Sequence, residues 1–355
     1  MTKKKVVVGL SGGVDSSVSA YLLKEQGYDV VGIFLKNWDE SDADCPAAQD
    51  ALDARLVADQ LGIPFYSFDF SKEYWDDVFE KFLAENRKGR TPNPDIWCNQ
   101  YIKFHAFLKY ALELGADYVA TGHYSGVRQG ENGLYELVRA DDDNKDQTYF
   151  LYTLQQEQLS KVLFPLQDIS KPEVRSIAEK LKLPVAGKKD STGICFIGDR
   201  NYRRFLEQYI DRTPGDFIHK ETGNVLGQHL GFPFYTIGQR KDLHIGGVKG
   251  ALESPWYVVE KDCENNRVIV SQDEQWLFKT DFVADTLSWC AGNSPADTFT
   301  CLVRTRHRSE LAEASVEIKG NQAHIVCKTP ERAITPGQAV VFYDGDICLG
   351  GGEIT

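Results

Sequence analysis

The sequence predicts an α/β N-terminal half built on a doubly wound parallel sheet, followed by an all-β remainder, and three observations carry this expectation. From residue 1 to about 200, short β-branched runs alternate with helix-period segments, the rhythm of βαβ units. The first run stops at Ser11-Gly12-Gly13 and passes directly into a helix-like segment, as at the carboxyl end of a strand in an open α/β sheet. Beyond about Thr213 the texture changes to Gly/Pro turns and short alternating runs. A chain of 355 residues, 42% hydrophobic, exceeds one typical core, so two or three domains are expected.

Taken in order, residues 6–10 read as the first strand and 18–26 as the first helix. The pairs 30–35 with 50–61 and 65–68 with 74–86 follow, and then a long helix over about 99–114, ended by Gly115, leads to a strand at 118–121. Extended runs recur at 256–260, 267–271, 316–319, 324–327 and 339–343. A break near residue 275 divides the β region, because 276–285 resumes an extended pattern after the turn at 272–274.

Forty basic against 52 acidic side chains give a net charge of −12, which argues against general adhesion to nucleic acid but not against a local basic surface. The window 81–109 holds Lys81, Arg87, Lys88, Arg90, Lys103 and Lys109 against Glu85 and Asp95. Smaller clusters occur at Lys182, Lys188 and Lys189, at Arg200, Arg203 and Arg204, and at Arg304, Arg306 and Arg308; solvated surface is the expected role of the last two. No apolar stretch approaches the roughly 20 residues needed to span a bilayer, and the start Met-Thr-Lys-Lys-Lys leads straight into a strand, so a cytoplasmic protein is expected. Eight cysteines show no CxxC pair and no zinc spacing, so no metal site is expected. Cys290, Cys301, Cys327 and Cys348, set in β-like segments, read as small buried hydrophobes.

Three stretches carry chemistry. In the first, Gly9 to Ser17, Gly12 and Gly13 let successive backbone N–H groups line a concavity while Asp15, Ser16 and Ser17 open a helix, a nucleotide phosphate site whose expected ligand is ATP. It is not a Walker loop, because Val14 follows the glycines and no lysine occurs before Lys24. In the second, TPNPDIWCNQYIKF from Thr91, Asp95 and Cys98 lie three residues apart and can share a site. A nucleophilic thiol there needs help from the helix N-terminus or from Lys103 and Arg90; the other reading makes Cys98 a buried small residue and Asp95 a helix cap. In the third, KKDSTGICFIGDR from Lys188, Cys195 follows a Ser-Thr-Gly turn between basic residues. It is either an accessible loop thiol or a cysteine in a short strand over 194–197.

SGGVDSS resembles the PP-loop of the ATP pyrophosphatases, enzymes that expel pyrophosphate and leave AMP on a substrate oxygen. Together with NPDIWCN, TGHYSGV from Thr121, DNKDQTYFL from Asp143, DSTGICFIGDR and YTIGQRKDLHIGG from Tyr235, it resembles the bacterial tRNA-specific 2-thiouridylases in motif order over essentially the whole chain. The resemblance implies an adenine nucleotide alpha-hydrolase-like adenylation domain at 1–205, a β-rich central tRNA-recognition domain at 206–275 and a C-terminal β-barrel at 276–355. It implies that ATP, with Mg2+, is held by Gly9, Leu10, Ser11, Gly12, Gly13, Val14, Asp15 and Ser16, with Leu35 and Gly122 completing the adenosine site. AMP would pass to the C2 oxygen of the wobble uridine with Asp95 as general acid or base; Cys195 would carry a persulfide, and Cys98 would complete the exchange through a transient disulfide with Cys195.

The same resemblance places Asn93, Pro94 and Asp95 at the target base of the tRNA anticodon stem-loop. It adds His123, Lys145, Asp146, Gln147, Arg306, His307 and Gln338 as tRNA contacts. The tRNAs implied are those for Lys, Glu and Gln, and the sulfur donor is a sulfur-relay protein such as TusE or a cysteine desulfurase. Leu10 and Leu35 stand where the family usually has Met, a volume-conserving change, and His307 stands where Tyr is expected. Competing readings are a PP-loop ligase or amidotransferase acting on a small molecule, in which neither thiol has a role, and an RNA-binding protein with a relic ATP site.

Overall fold

The β-branched runs of the N-terminal half pair in parallel. In the computed structural model, which describes residues 3–38, 47–190, 202–246 and 254–355, the first strands are β1 (Lys5–Gly9), β2 (Asp29–Lys36), β3 (Phe65–Asp69) and β4 (Tyr118–Ala120). A hairpin of β5 (Gly126–Gln129) and β6 (Tyr135–Val138) leaves this sheet, and β7 (Val162–Leu163) rejoins it, giving the parallel order β3-β2-β1-β4-β7. Val6, Val7 and Val8 of β1 are buried, as a central strand covered on both faces requires. On one face Val18 and Leu23 of helix Val14–Glu25, Val57 of Ala47–Leu61 and Val174 of Lys171–Lys180 close one apolar core.

Two longer helical stretches cover the other face, and each contains a π segment. One runs through Ser71–Tyr74, Trp75–Phe79 and Glu80–Arg87; the other through Pro94–Trp97, Cys98–Phe107 and Leu108–Glu113. The second therefore starts five residues before the expected 99. Pro94 occupies its first position and the Asn93 Oδ1 accepts from the Asp95 N–H at 3.2 Å, so Asn93, not Asp95, is the cap.

The central region is a four-stranded sheet of β8 (Gly215–His219), β9 (Val225–His229), β10 (Tyr257–Asp262) and β11 (Arg267–Ser271), ordered β10-β11-β8-β9 with β8 and β11 parallel. Then β12 (Phe278–Trp289), β13 (Thr298–Arg304), β14 (Ala312–Lys319), β15 (Gln322–Arg332), β16 (Ala339–Asp344) and β17 (Ile347–Ile354) close into a six-stranded barrel, sealed by the β12–β17 pairing. Along β14, Ala312, Ala314 and Val316 are buried while Glu313, Ser315 and Glu317 are exposed, the two-residue period of a barrel wall. Cys290, Cys327 and Cys348 are buried, whereas Cys301 is only partly so.

The hairpin β5–β6 extends the barrel sheet through β6, with Ile347 opposite Val138 and Cys348 opposite Leu137. The N-terminal half and the barrel thus share one sheet. Just beyond the hairpin, the fully buried Asp146 carboxylate accepts from Arg304 Nη1 of β13 at 2.9 Å and from the Thr148 hydroxyl, which itself contacts the Tyr343 hydroxyl at 3.2 Å. Replacing Arg304 by Met leaves that buried carboxylate with only the more distant Arg139 Nε, at 3.6 Å, so a loss of about 3 kcal/mol in urea-unfolding free energy is expected, with the Asp146→Leu/Arg304→Met pair recovering most of it.

Candidate nucleotide and thiol site

The phosphate loop is built by close approach. Gly12 has φ +72°, and a Cβ there would lie 2.3 Å from the Asp50 carbonyl oxygen; a Cβ on Gly122 would lie 2.6 Å from Ser16 N. Glycine is therefore required at both positions for the loop and the helix after it to pack. Gly13 caps the Val14–Glu25 helix without any side-chain hydrogen bond. Inside the loop, the Ser16 hydroxyl accepts from Ser11 N at 3.2 Å and donates to the Gly13 carbonyl at 3.2 Å, while the Ser17 hydroxyl donates to that same carbonyl at 2.7 Å. A helix start left open by its cap is suited to an anion. A Cβ on Gly9 would stand 3.6 Å from Leu35 Cδ1, which puts Leu35 over the root of the loop. Leu10 points the other way, into the core above Gly32, so its route to a nucleotide is its backbone.

Two lysines, which the sequence marks at most as basic surface, hold this loop. Lys188 Nζ donates to the Gly12 carbonyl at 2.9 Å and pairs with Asp50 at 2.7 Å and Asp53 at 2.5 Å. Burial works against its charge, but the two carboxylates outweigh it and hold its pKa above the ordinary value. Lys171, 8% exposed, donates to both oxygens of Asp15 at 2.7 and 2.8 Å and meets Asp190 at 2.8 Å. Tyr124 also donates to Asp15, at 2.9 Å. Although burial pushes the Asp190 carboxyl up, Lys145 and Lys171 hold it well below the usual carboxylate range. The only sequence signal for Lys171 is its place at the first helical position, inside the Ser170/Glu173 capping box; its burial is a tertiary property.

Cys98 begins the π segment and is 0% exposed, in an apolar core with Ile96, Trp97, Ile102 and Phe107. Asp95 lies one turn before it, and with i→i+5 bonding Lys103 lies about one turn beyond it. Arg90, expected to assist the thiol, instead bonds Glu85 at 3.0 Å and the Ile354 carbonyl at 3.0 Å. Cys195 lies outside the described residues.

Residues 4–199 match the family described as tRNA methyl transferase HUP domain, 203–272 its PRC-barrel domain and 279–354 an aminomethyltransferase beta-barrel domain. The tRNA-specific 2-thiouridylases MnmA of Francisella philomiragia and Francisella tularensis subsp. novicida are each 54% identical to it over 100% of both chains. The chain belongs to the tRNA-specific 2-thiouridylase family. A solved U34-tRNA thiolase NcsA from Methanococcus maripaludis aligns with 58% of this chain and 66% of its own at 21% identity and TM-score 0.35.

In this 2-thiouridylase the expected tRNA contacts are engaged with protein groups. Lys145 pairs with Asp190 at 2.7 Å, and Gln147 Oε1 accepts from Tyr124 N at 3.0 Å. Arg306 Nη2 donates to the Ala333 carbonyl at 2.7 Å and the Ile237 carbonyl at 3.3 Å, joining the barrel to the central region. Gln338 donates to the Thr91 carbonyl at 2.7 Å, directly before Asn93 and Pro94. His307 packs on Phe150 with ring centroids 4.4 Å apart, its Nε2 buried without a hydrogen-bond partner among the described residues. His123 bonds the Thr121 hydroxyl through Nδ1 at 2.6 Å between Phe104 and Phe164.

Two outcomes are expected. Gly122→Ala drives a methyl into Ser16 N and weakens ATP binding by about tenfold or more in a calorimetric titration, ~1.4 kcal/mol, with an unchanged affinity refuting the close-approach account. Burial, with Lys103, holds His123 neutral well below the ordinary histidine pKa. The unfolded chain therefore takes up the proton first, and the stability tied to neutral His123 is whole above about pH 6.5 and is lost as pH falls below it, by up to about 1.4 kcal/mol per unit. Urea midpoints between pH 7.5 and 5 should fall less steeply in His123→Gln than in the wild type.

Proposed function

We propose that this 2-thiouridylase uses ATP to adenylate the C2 oxygen of the wobble uridine and then replaces that oxygen with sulfur. Family membership carries the class of reaction, sulfur transfer to a tRNA uridine by an ATP-dependent enzyme. The uracil oxygen attacks the α-phosphorus of ATP held at Gly9 to Ser16, and pyrophosphate leaves with Mg2+ offsetting its charge. The terminal sulfur of a Cys195 persulfide attacks C2, and AMP departs with the oxygen. The Cys98 thiolate then attacks Cys195 Sγ, releasing the C2 thiocarbonyl and forming a Cys98–Cys195 disulfide that a two-electron thiol reductant reopens. Asp95 serves as general acid or base at the uridine, with Asn93 and Pro94 lining the base.

The observation that supports this reading most is a contact. Gly9, at the root of the phosphate loop, packs on Phe107, the last residue of the π segment that Cys98 begins, with a Cβ there 3.6 Å from the ring. Nucleotide loop and thiol are therefore fixed to one body. Among the described residues no cluster of three or more His, Cys, Asp or Glu could hold a metal, and Mg2+ would arrive with the nucleotide. Among them, too, no helix is long and apolar enough to cross a membrane.

The substrates would be the tRNAs for Lys, Glu and Gln, flipped at the wobble base into the pocket in the cytoplasm, with sulfur supplied by a relay protein or a cysteine desulfurase. Incubation with ATP, Mg2+, a persulfide donor and unmodified tRNA should give one AMP and one pyrophosphate per 2-thiouridine by nucleoside mass spectrometry. Cys195→Ser should abolish the thionucleoside, and Cys98→Ser should reduce it at least about 100-fold, ~2.7 kcal/mol in barrier. No product from the wild type, or full activity in Cys195→Ser, would overturn the proposal.

A further inference from the structure

Asn37 is the first residue beyond β2, at the carboxyl end of the parallel sheet where ligands of doubly wound folds lie. It is 1% exposed, and both its Nδ2 and its Oδ1 are buried without a hydrogen-bond partner among the described residues. Buried amides are otherwise paired, because leaving donor and acceptor unmet in a low-dielectric interior is costly. The flanking residues Leu35 and Trp38 belong to the apolar core that contains Ile96, Trp97 and Cys98. The Trp38 ring is clamped edge-on to Phe79 at 4.7 Å and stacked on Trp75 at 5.9 Å. That clamp fixes the backbone at residue 38, so the amide beside it is held in place ahead of any ligand.

We propose that the Asn37 carboxamide reads a nucleobase edge in this site, its Nδ2 donating to a ring nitrogen or carbonyl and its Oδ1 accepting from the adjacent N–H. An asparagine amide matches an edge that carries a donor and an acceptor side by side, and its bidentate pairing with adenine is the familiar case. The proposed reaction brings two such edges to this crevice: N6–H with N1 or N7 in the adenine of ATP, and N3–H with O4 in the target uracil. Pairing at N3–H and O4 leaves the C2 oxygen open to adenylation. The inference rests on the proposed function for the identity of the two bases.

The test uses Asn37→Leu, which keeps volume and removes both polar atoms, in the full-length protein. Because the amide has no partner among the described residues, the Tm of Asn37→Leu should equal or exceed that of the wild type. Affinities are then measured separately, for ATP by calorimetry and for an unmodified anticodon stem-loop by fluorescence anisotropy, neither of which requires turnover. A loss of about 10- to 100-fold for ATP assigns the amide to adenine, and the same loss for the stem-loop assigns it to uracil. Unchanged affinity for both, or a clear drop in Tm showing that the amide already bonds within the fold, overturns the inference. If wild-type protein binds both ligands but forms no 2-thiouridine, the proposed reaction fails while the amide assignment is still decided by the affinities.

Discussion

Everything distinctive about this molecule depends on one apolar core that runs without interruption through all three sheets. It contains Val7 of β1, Cys98 and Phe107 of the π segment, Phe217 and Val258 of the central sheet, and Val341, Tyr343 and Cys348 of the barrel. A thiol at 0% exposure in such packing is shielded from water and from adventitious oxidants, and it can meet only what is brought into the core. Its position is set from the far end of the chain. Glu353 of β17 accepts from the Trp97 indole N–H at 3.1 Å, Lys81 stands 4.1 Å over the Trp97 ring, and Thr91 N donates to the Pro336 carbonyl at 2.8 Å. The barrel therefore aligns the helix that carries Cys98 rather than hanging from it.

The opposite side of the phosphate loop is held by charge instead of packing. Asp15 opens the helix whose N-terminus is meant for an anion, and an uncompensated carboxylate there would repel a triphosphate. The Lys171 ammonium neutralises it. The same lysine reaches Asp190, and Lys188 reaches the Gly12 carbonyl, so the residues immediately before the Cys195 segment are tied to the loop at two points. Under the proposed reaction, the arrival of a triphosphate competes for these ammonium groups, and the base of the sulfur-carrying segment feels the nucleotide directly. The coupling needs no long pathway, because one side chain touches both parts.

What the sequence discloses and what it hides follow the distance over which each feature is decided. The strand, the Gly12–Gly13 turn and the helix after it are local, and their positions are legible to within a few residues. The helix from Pro94 is less so: its start depends on Asn93 capping the Asp95 N–H, and a run with two prolines reads as loop until that bond is known. The π register at Cys98 has no propensity signature. The transfer of the β5–β6 hairpin to the barrel sheet, and the roles of Lys145, Asp146, Arg306 and Gln338 as joints, are set by partners 27 to 247 positions away, which no window of sequence contains. Asn37 was missed for the same reason, since an orphaned amide is visible only once its surroundings are.

Several residues expected from the resemblance to contact tRNA already serve as joints within the fold. A guanidinium or ammonium whose donors are satisfied by carbonyls and carboxylates adds little to phosphate affinity, because engaging RNA would first break those bonds. Lys145 is paired with Asp190, and Arg306 bridges the barrel to the central region. On a chain of net charge −12, the electrostatic attraction to the backbone must then come from exposed cations such as Lys109, Lys182, Lys189 and Arg308. The buried set contributes shape, fixing the sheets between which the anticodon loop would fit. Under the proposed function, affinity and placement would fall to different residues: an exposed lysine would strengthen binding uniformly, whereas a joint would set the base relative to Cys98.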